Sequence, residues 1–128
     1  MKWKNYFAVY TLFLLTIFVL AYMGHIPTKL NLIPFYDSIG HFVLYGTWGF
    51  LFAMAFSRPL AWVGKFAIQK GIFLVVPVAV VEECLQSLSP TRTFSLFDLG
   101  WGLLGITFAW LLANRIQGVT VKRKLQNP

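Results

Sequence analysis

Acidic side chains are scarce in this sequence: four in 128 residues, against eleven lysines and arginines. Charged residues of both signs reach only 12%. That is about half the share of a soluble domain, too little polar surface to cover a water-facing globule. Cysteine is equally rare. The single Cys84 excludes an intrachain disulfide and any zinc site built on cysteines. There is no internal repeat, no low-complexity tract and no shift in composition between segments, so residues 1–128 read as one domain. No H-E-x-x-H or other compact metal motif occurs, and neither a metal nor another cofactor is expected.

Apolar residues are abundant instead, at 58% of the chain with a mean hydropathy of +0.68. Such a composition belongs to an integral membrane protein. Four apolar runs, near 6–23, 38–56, 66–86 and 96–113, each approach the ~20 residues that cross a hydrocarbon core. Lys2 and Lys4 ahead of the first run imitate a signal peptide. The run is too long for a signal core, however, and closes on Tyr22-Met23 rather than a small-x-small cleavage site, so a retained helix is expected. Gly24, Pro27 and Pro34 make 24–37 a loop with a short interfacial piece, and Arg58, Lys65 and Lys70 mark a second connector. Pro77 interrupts the third run, where a proline removes one hydrogen bond and kinks a helix. Residues 117–128 form a basic tail.

The basic residues lie at the edges of the runs. A net charge of +7 would suit nucleic acid only if it formed a stripe, so anionic lipid head groups are the expected partners and nucleic acid is not. Nine of the eleven basic residues fall on one side of a four-span topology, leaving Lys29 and Arg92 on the other. The positive-inside rule then puts both termini in the cytoplasm. The expected fold is all-α: four transmembrane helices in a compact bundle, multi-pass in the cell (plasma or inner) membrane.

With that topology every acid lies on the extracytoplasmic side. Asp37 opens the second helix, Glu82 and Glu83 close the third, and Asp98 opens the fourth, with Arg92 in the loop before it. Asp37, His41 and Tyr45 follow at i, i+4 and i+8 and share one helix face; Glu83 and Gln86 are at i and i+3. Asp98 continues into Gly102, Gly105, Ala109 and Ala113, a stripe of small residues that lets membrane helices approach closely and turns Asp98 inward. The candidate functional cluster is Asp37, His41, Tyr45, Glu83, Gln86, Arg92 and Asp98.

The segments "DSIGHFVLY" and "EECLQSLSPTRTFSLFDLGWGLLG" together resemble the VanZ-like family of small membrane proteins, named for a member linked to teicoplanin (glycopeptide) resistance. Asp37, His41, Phe42 and Tyr45 match its first block, and Glu83, Gln86, Arg92, Asp98 and Gly105 its second, over about residues 35 to 110. The resemblance implies a four-span membrane protein of the cell envelope and favours Glu83 over Glu82 as the site carboxylate. Ser38 and Gly102 stand where the family usually has Lys and Asn, which implies a different or weaker ligand.

Four functional classes fit these residues. The first is binding or modification, at the outer leaflet, of a polar or anionic envelope ligand such as a lipid head, a lipid-linked precursor or a glycopeptide, with Arg92 suited to phosphate or carboxylate. The second is a membrane enzyme, in which Asp37, His41, Glu83 and Asp98 act as general acid and base or ligate a divalent cation. The third is a small proton-coupled transporter, although carrier sites lie near the midplane and these acids do not. The fourth is a purely structural network, since Asp37 and Asp98 suit helix N-termini and Arg92 can brace Glu83 or Asp98.

Overall fold

The computed structural model describes residues 2–56, 59–63 and 66–126. Four helices carry the fold: α1 (Lys2–Tyr22), α2 (Tyr36–Ala55), α3 (Lys70–Gln86) and α4 (Leu96–Gln126). At 1.5 Å per residue the first two are about 32 and 30 Å long, enough to cross a membrane. Three helices have the length and apolarity for a span: α1, α2 and the Leu96–Gly118 part of α4. Helix α3 has only 17 residues, about 26 Å.

The third apolar run departs from its expected form. Residues 66–86 read as one helix, but Phe66–Gln69 form a strand (β2) that pairs antiparallel with Pro59–Val63 (β1), and the helix begins only at Lys70. Short apolar segments of this kind, with β-branched and aromatic residues beside a glycine, carry no periodicity that separates strand from helix. The fold is all-helical in its four main elements, as expected, with one small hairpin added between α2 and α3. Arg58 and Lys65 of the expected connector, like the last two residues of the basic tail, lie outside the described residues. The rest of that tail continues α4 without a break to Gln126. Within 24–37, a 3-10 helix covers Thr28–Leu32, and Pro77 lies inside an α3 that is helical on both sides of it.

The chain runs up and down. Phe7 meets Phe52 and Phe56, Thr11 accepts a hydrogen bond from Trp48 Nε1 at 2.9 Å, and Phe18 meets Tyr45, so α1 and α2 are antiparallel. Ser38 bonds Asp98 at one end of α2, while Gln117 donates to the Ala53 carbonyl at the other, so α2 and α4 are parallel. These two helices form the most extensive contact in the molecule. Their seam is built from the small-residue stripe: Gly102, Gly105, Ala109 and Ala113 are all buried. A Cβ on Gly105 would overlap the Phe42 carbonyl oxygen, so only glycine lets the two backbones meet there.

Around that seam Tyr45, Val75, Ala79 and Ile106 form the core, flanked by Phe18, Trp48, Phe52 and Leu103. Large apolar side chains otherwise face outward, including Val9, Leu12, Phe73, Val81, Leu104 and Phe108, and Leu14 is the one buried residue of α1. In water this would be an aggregating surface. On helices of this length it is a surface for lipid, where the polar residues go inside because hydrocarbon offers them no partner.

Charge sorts the two ends of the bundle. Lys4 lies over the Phe56 ring at 5.7 Å, at the end where α3 begins with Lys70, and the buried Gln69 bonds the half-buried Gln117 at that same end. All four acids lie at the opposite end, where the 87–95 loop crosses the bundle. Thr91 Oγ1 donates across the Ala21 and Tyr22 carbonyls at 3.3 Å, tying that loop to the last turn of α1.

Candidate functional site

Each expected site residue is on a rigid element or braced by one. Asp37 is in the first turn of α2, where a carboxylate favours the helix dipole, and His41 and Tyr45 follow on the same face. Both of the latter are buried. Asp98 opens α4 behind Ser95, whose Oγ accepts the Asp98 backbone N–H at 3.2 Å as an N-cap does.

Arg92 spans the gap between these helices. Its Nη2 donates to Asp37 Oδ1 at 2.8 Å and reaches Gln86 Oε1 at 3.4 Å. Burial pulls the Arg92 pKa down, but the bond to Asp37 and its negative charge more than offset this, and the pKa ends above its ordinary value. His41 lies between two carboxylates: its Nε2 faces Asp37 Oδ1 at 4.0 Å and its Nδ1 faces Glu83 Oε2 at 3.6 Å. Glu83 Oε1 accepts the Ser95 backbone N–H at 2.7 Å, which joins α3 to the start of α4. Asp98 accepts a hydrogen bond from the buried Ser38 hydroxyl.

Glu82 belongs to the same cluster, although the sequence favoured its neighbour alone. It is 8% exposed, against 1% for Glu83. Tyr45 Oη donates to Glu82 Oε2 at 2.9 Å, Tyr22 Oη reaches Oε1 at 3.3 Å, and Gln86 Nε2 lies 3.1 and 2.9 Å from the two oxygens. Gln86 thus pairs with Glu82 one turn back, not with Glu83 as the i, i+3 spacing suggested. Adjacent helical residues point about 100° apart, so both can face inward only where neighbours cover a wide arc of the helix. Here α1 and α2 receive Glu82, and His41 and α4 receive Glu83. Nothing in the α3 sequence signals this, because its apolar residues surround the helix without a stripe. Ser38 and Ser95 were also missed as members; only the S-x-x-D spacing of Ser95 and Asp98, an N-cap pattern, carried a sign of one.

A cavity of about 460 Å3 opens beside this network, between α1, the 3-10 helix and α2. Ile17, Phe18, Ile26, Ile39, Val43 and Leu44 are among its apolar walls. One end is polar, formed by Asp37, His41, Glu82, Gln86 and Arg92. Tyr45 and Asp98 are in the network but do not line the cavity, and neither does Glu83. The arrangement can hold a molecule with an apolar body and a polar end, with donors and acceptors supplied from two helices and one loop.

No protein-family model, curated protein or solved structure matches this chain.

Proposed function

We propose that this chain is a VanZ-like membrane protein that binds an amphiphilic cell-envelope molecule, such as a lipid with a neutral or zwitterionic head, at the extracytoplasmic end of a four-span bundle. The observation that carries this reading is the two-sided chemistry of the cavity. Its walls suit an acyl or prenyl chain entering from lipid, and its polar end suits a hydroxyl-, amide- or amine-bearing head. Arg92 is held by Asp37, so a purely anionic head would have to displace that carboxylate. The polar end therefore favours neutral or zwitterionic heads over bare phosphate.

Four spans follow if α3 crosses as well. Its ends are level with those of its neighbours, since Glu82 meets Tyr22 at the end of α1 and Gln69 meets Gln117 on α4. The basic end, with Lys4 and Lys70, is the cytoplasmic one by the positive-inside rule, which places both termini in the cytoplasm of a plasma-membrane protein. Removal of such a molecule from the outer leaflet, or its masking there, links the protein to glycopeptide susceptibility.

Gly40 supplies the test. It lines the cavity, and a Cβ built on it meets nothing within 4 Å. Gly40→Leu narrows the cavity from a position where the added Cβ meets nothing, and adds helix propensity of about 1 kcal/mol. Native mass spectrometry of the detergent-purified protein is expected to show a co-purifying lipid-mass adduct on the wild type and none on Gly40→Leu, with a melting temperature at least as high in the variant. Cells expressing the two at equal level should differ in teicoplanin susceptibility. An adduct retained by Gly40→Leu, or unchanged susceptibility, would sink the proposal.

A further inference from the structure

His41, Glu82 and Glu83 each offer a ligating atom, and these atoms lie within 4.8 Å of one another. All three residues are buried, at 7%, 8% and 1% exposure. Two adjacent carboxylates removed from water are costly unless a counter-charge reaches both, and a single imidazole supplies at most one. Arg92 is committed to Asp37 on the far side of His41. Among the described residues, no donor bonds Glu83 Oε2, although the atom is buried and aimed at His41 Nδ1 from 3.6 Å.

We infer that His41 Nδ1, Glu83 Oε2 and a Glu82 carboxylate oxygen form a site for a divalent cation of the first transition row, Zn2+ or Mn2+. One imidazole with two carboxylates is a nitrogen–oxygen set that suits these ions, and the remaining positions are left to water or a bound head group. The surroundings have the form that supports metal ligands. Asp37 faces the other ring nitrogen of His41 at 4.0 Å and orients the ring, with Arg92 fixing Asp37 in turn. The Ser95 N–H holds Glu83 Oε1, and so presents Oε2. Tyr45 anchors Glu82, while Gln86 spreads one amide over both Glu82 oxygens and frees a lone pair by settling on one of them. His41 and Glu82 also line the 460 Å3 cavity, which gives the ion a route in. The inference rests on this cluster and not on the ligand proposed above.

The test uses untagged full-length protein in detergent, stripped with a chelator and titrated with Zn2+, Mn2+, Mg2+ or Ca2+. One equivalent of Zn2+ or Mn2+ per chain is expected, with a rise in melting temperature. Glu83→Gln and His41→Gln should each weaken binding at least 100-fold. Asp37→Asn acts through ring orientation and should weaken it roughly 10- to 100-fold. Thr16→Val, an exposed change on α1 away from the cluster, should bind as the wild type does. Co2+ substitution provides a second readout, a visible ligand-field spectrum that Glu83→Gln alters in folded protein. Wild-type affinity in Glu83→Gln, or no ion retained at micromolar concentration, would overturn the assignment. A preference for Mg2+ or Ca2+ would overturn the role of His41. Glu83 does not line the cavity, so Glu83→Gln removes the ion and leaves the amphiphile adduct in place, and the two proposals fail separately.

Discussion

Arg92 and Asp37, 55 residues apart, are joined by a 2.8 Å charge-assisted hydrogen bond that closes the 87–95 loop onto the first turn of α2. Arg92 is mostly buried and Asp37 about a third exposed, so the pair is partly screened. A double-mutant cycle with Arg92→Gln and Asp37→Asn should give a coupling of about 1 kcal/mol, read from unfolding in detergent. The Arg92 pKa is raised in the folded state, so its contribution is complete below the ordinary arginine value and is lost only above it. Coupling measured at about pH 7 and pH 9 should therefore agree.

Tyr45→Phe removes one oxygen and leaves the ring in the core. Glu82 Oε2 then loses one of its two 2.9 Å donors in a buried setting, Gln86 Nε2 being the other. The expected loss is about 1–3 kcal/mol, far above the effect of deleting an exposed hydroxyl such as Thr16. Thermal melting of Tyr45→Phe beside Thr16→Val checks it; equal shifts would mean that Glu82 does not depend on Tyr45.

Ser38→Ala should cost about 1–2 kcal/mol, because the Asp98 carboxylate loses a buried donor. In an Asp98→Asn background the same substitution should cost clearly less, since the charge needing that donor is gone. Melting temperatures of the four proteins of this cycle decide it.

Gly102→Asn places the usual residue of the resembled family in this chain. A Cβ at this position comes within 3.3 Å of Tyr45 Cδ2 and 3.9 Å of His41 Cβ, so a longer side chain displaces the tyrosine ring. A destabilisation of about 1–3 kcal/mol is expected, with a changed environment for Tyr45 in ultraviolet absorption. Phe18→Leu, which opens space beside that ring, should relieve part of it.

Much of this arrangement was legible in the sequence. The i, i+4, i+8 spacing of Asp37, His41 and Tyr45 carries over directly because a helix face is a local property. The stripe from Gly102 to Ala113 announced its burial for the same reason, since small residues serve little purpose toward lipid. The role of Glu82 was hidden. Which arc of α3 is covered depends on where α1 and α2 pass, a tertiary relation that no spacing within α3 encodes. The 59–69 hairpin was hidden too, because four or five apolar residues are as compatible with a strand as with the first turn of a helix. Its pairing is visible only once both halves are placed.

The backbone contact at Gly105 also sets the phase of everything N-terminal to it on α4. Side chains cannot slip past one another where main chain touches main chain, so the stretch from Asp98 to Gly105 works like a toothed gauge. A single residue inserted there would turn Asp98 by about 100° and lift it about 1.5 Å, away from Ser38. Insertion of a whole turn would restore its direction but not its height. Natural or laboratory length changes in this bundle should therefore be tolerated beyond Gln117, and refused in the two turns that separate Asp98 from Gly105.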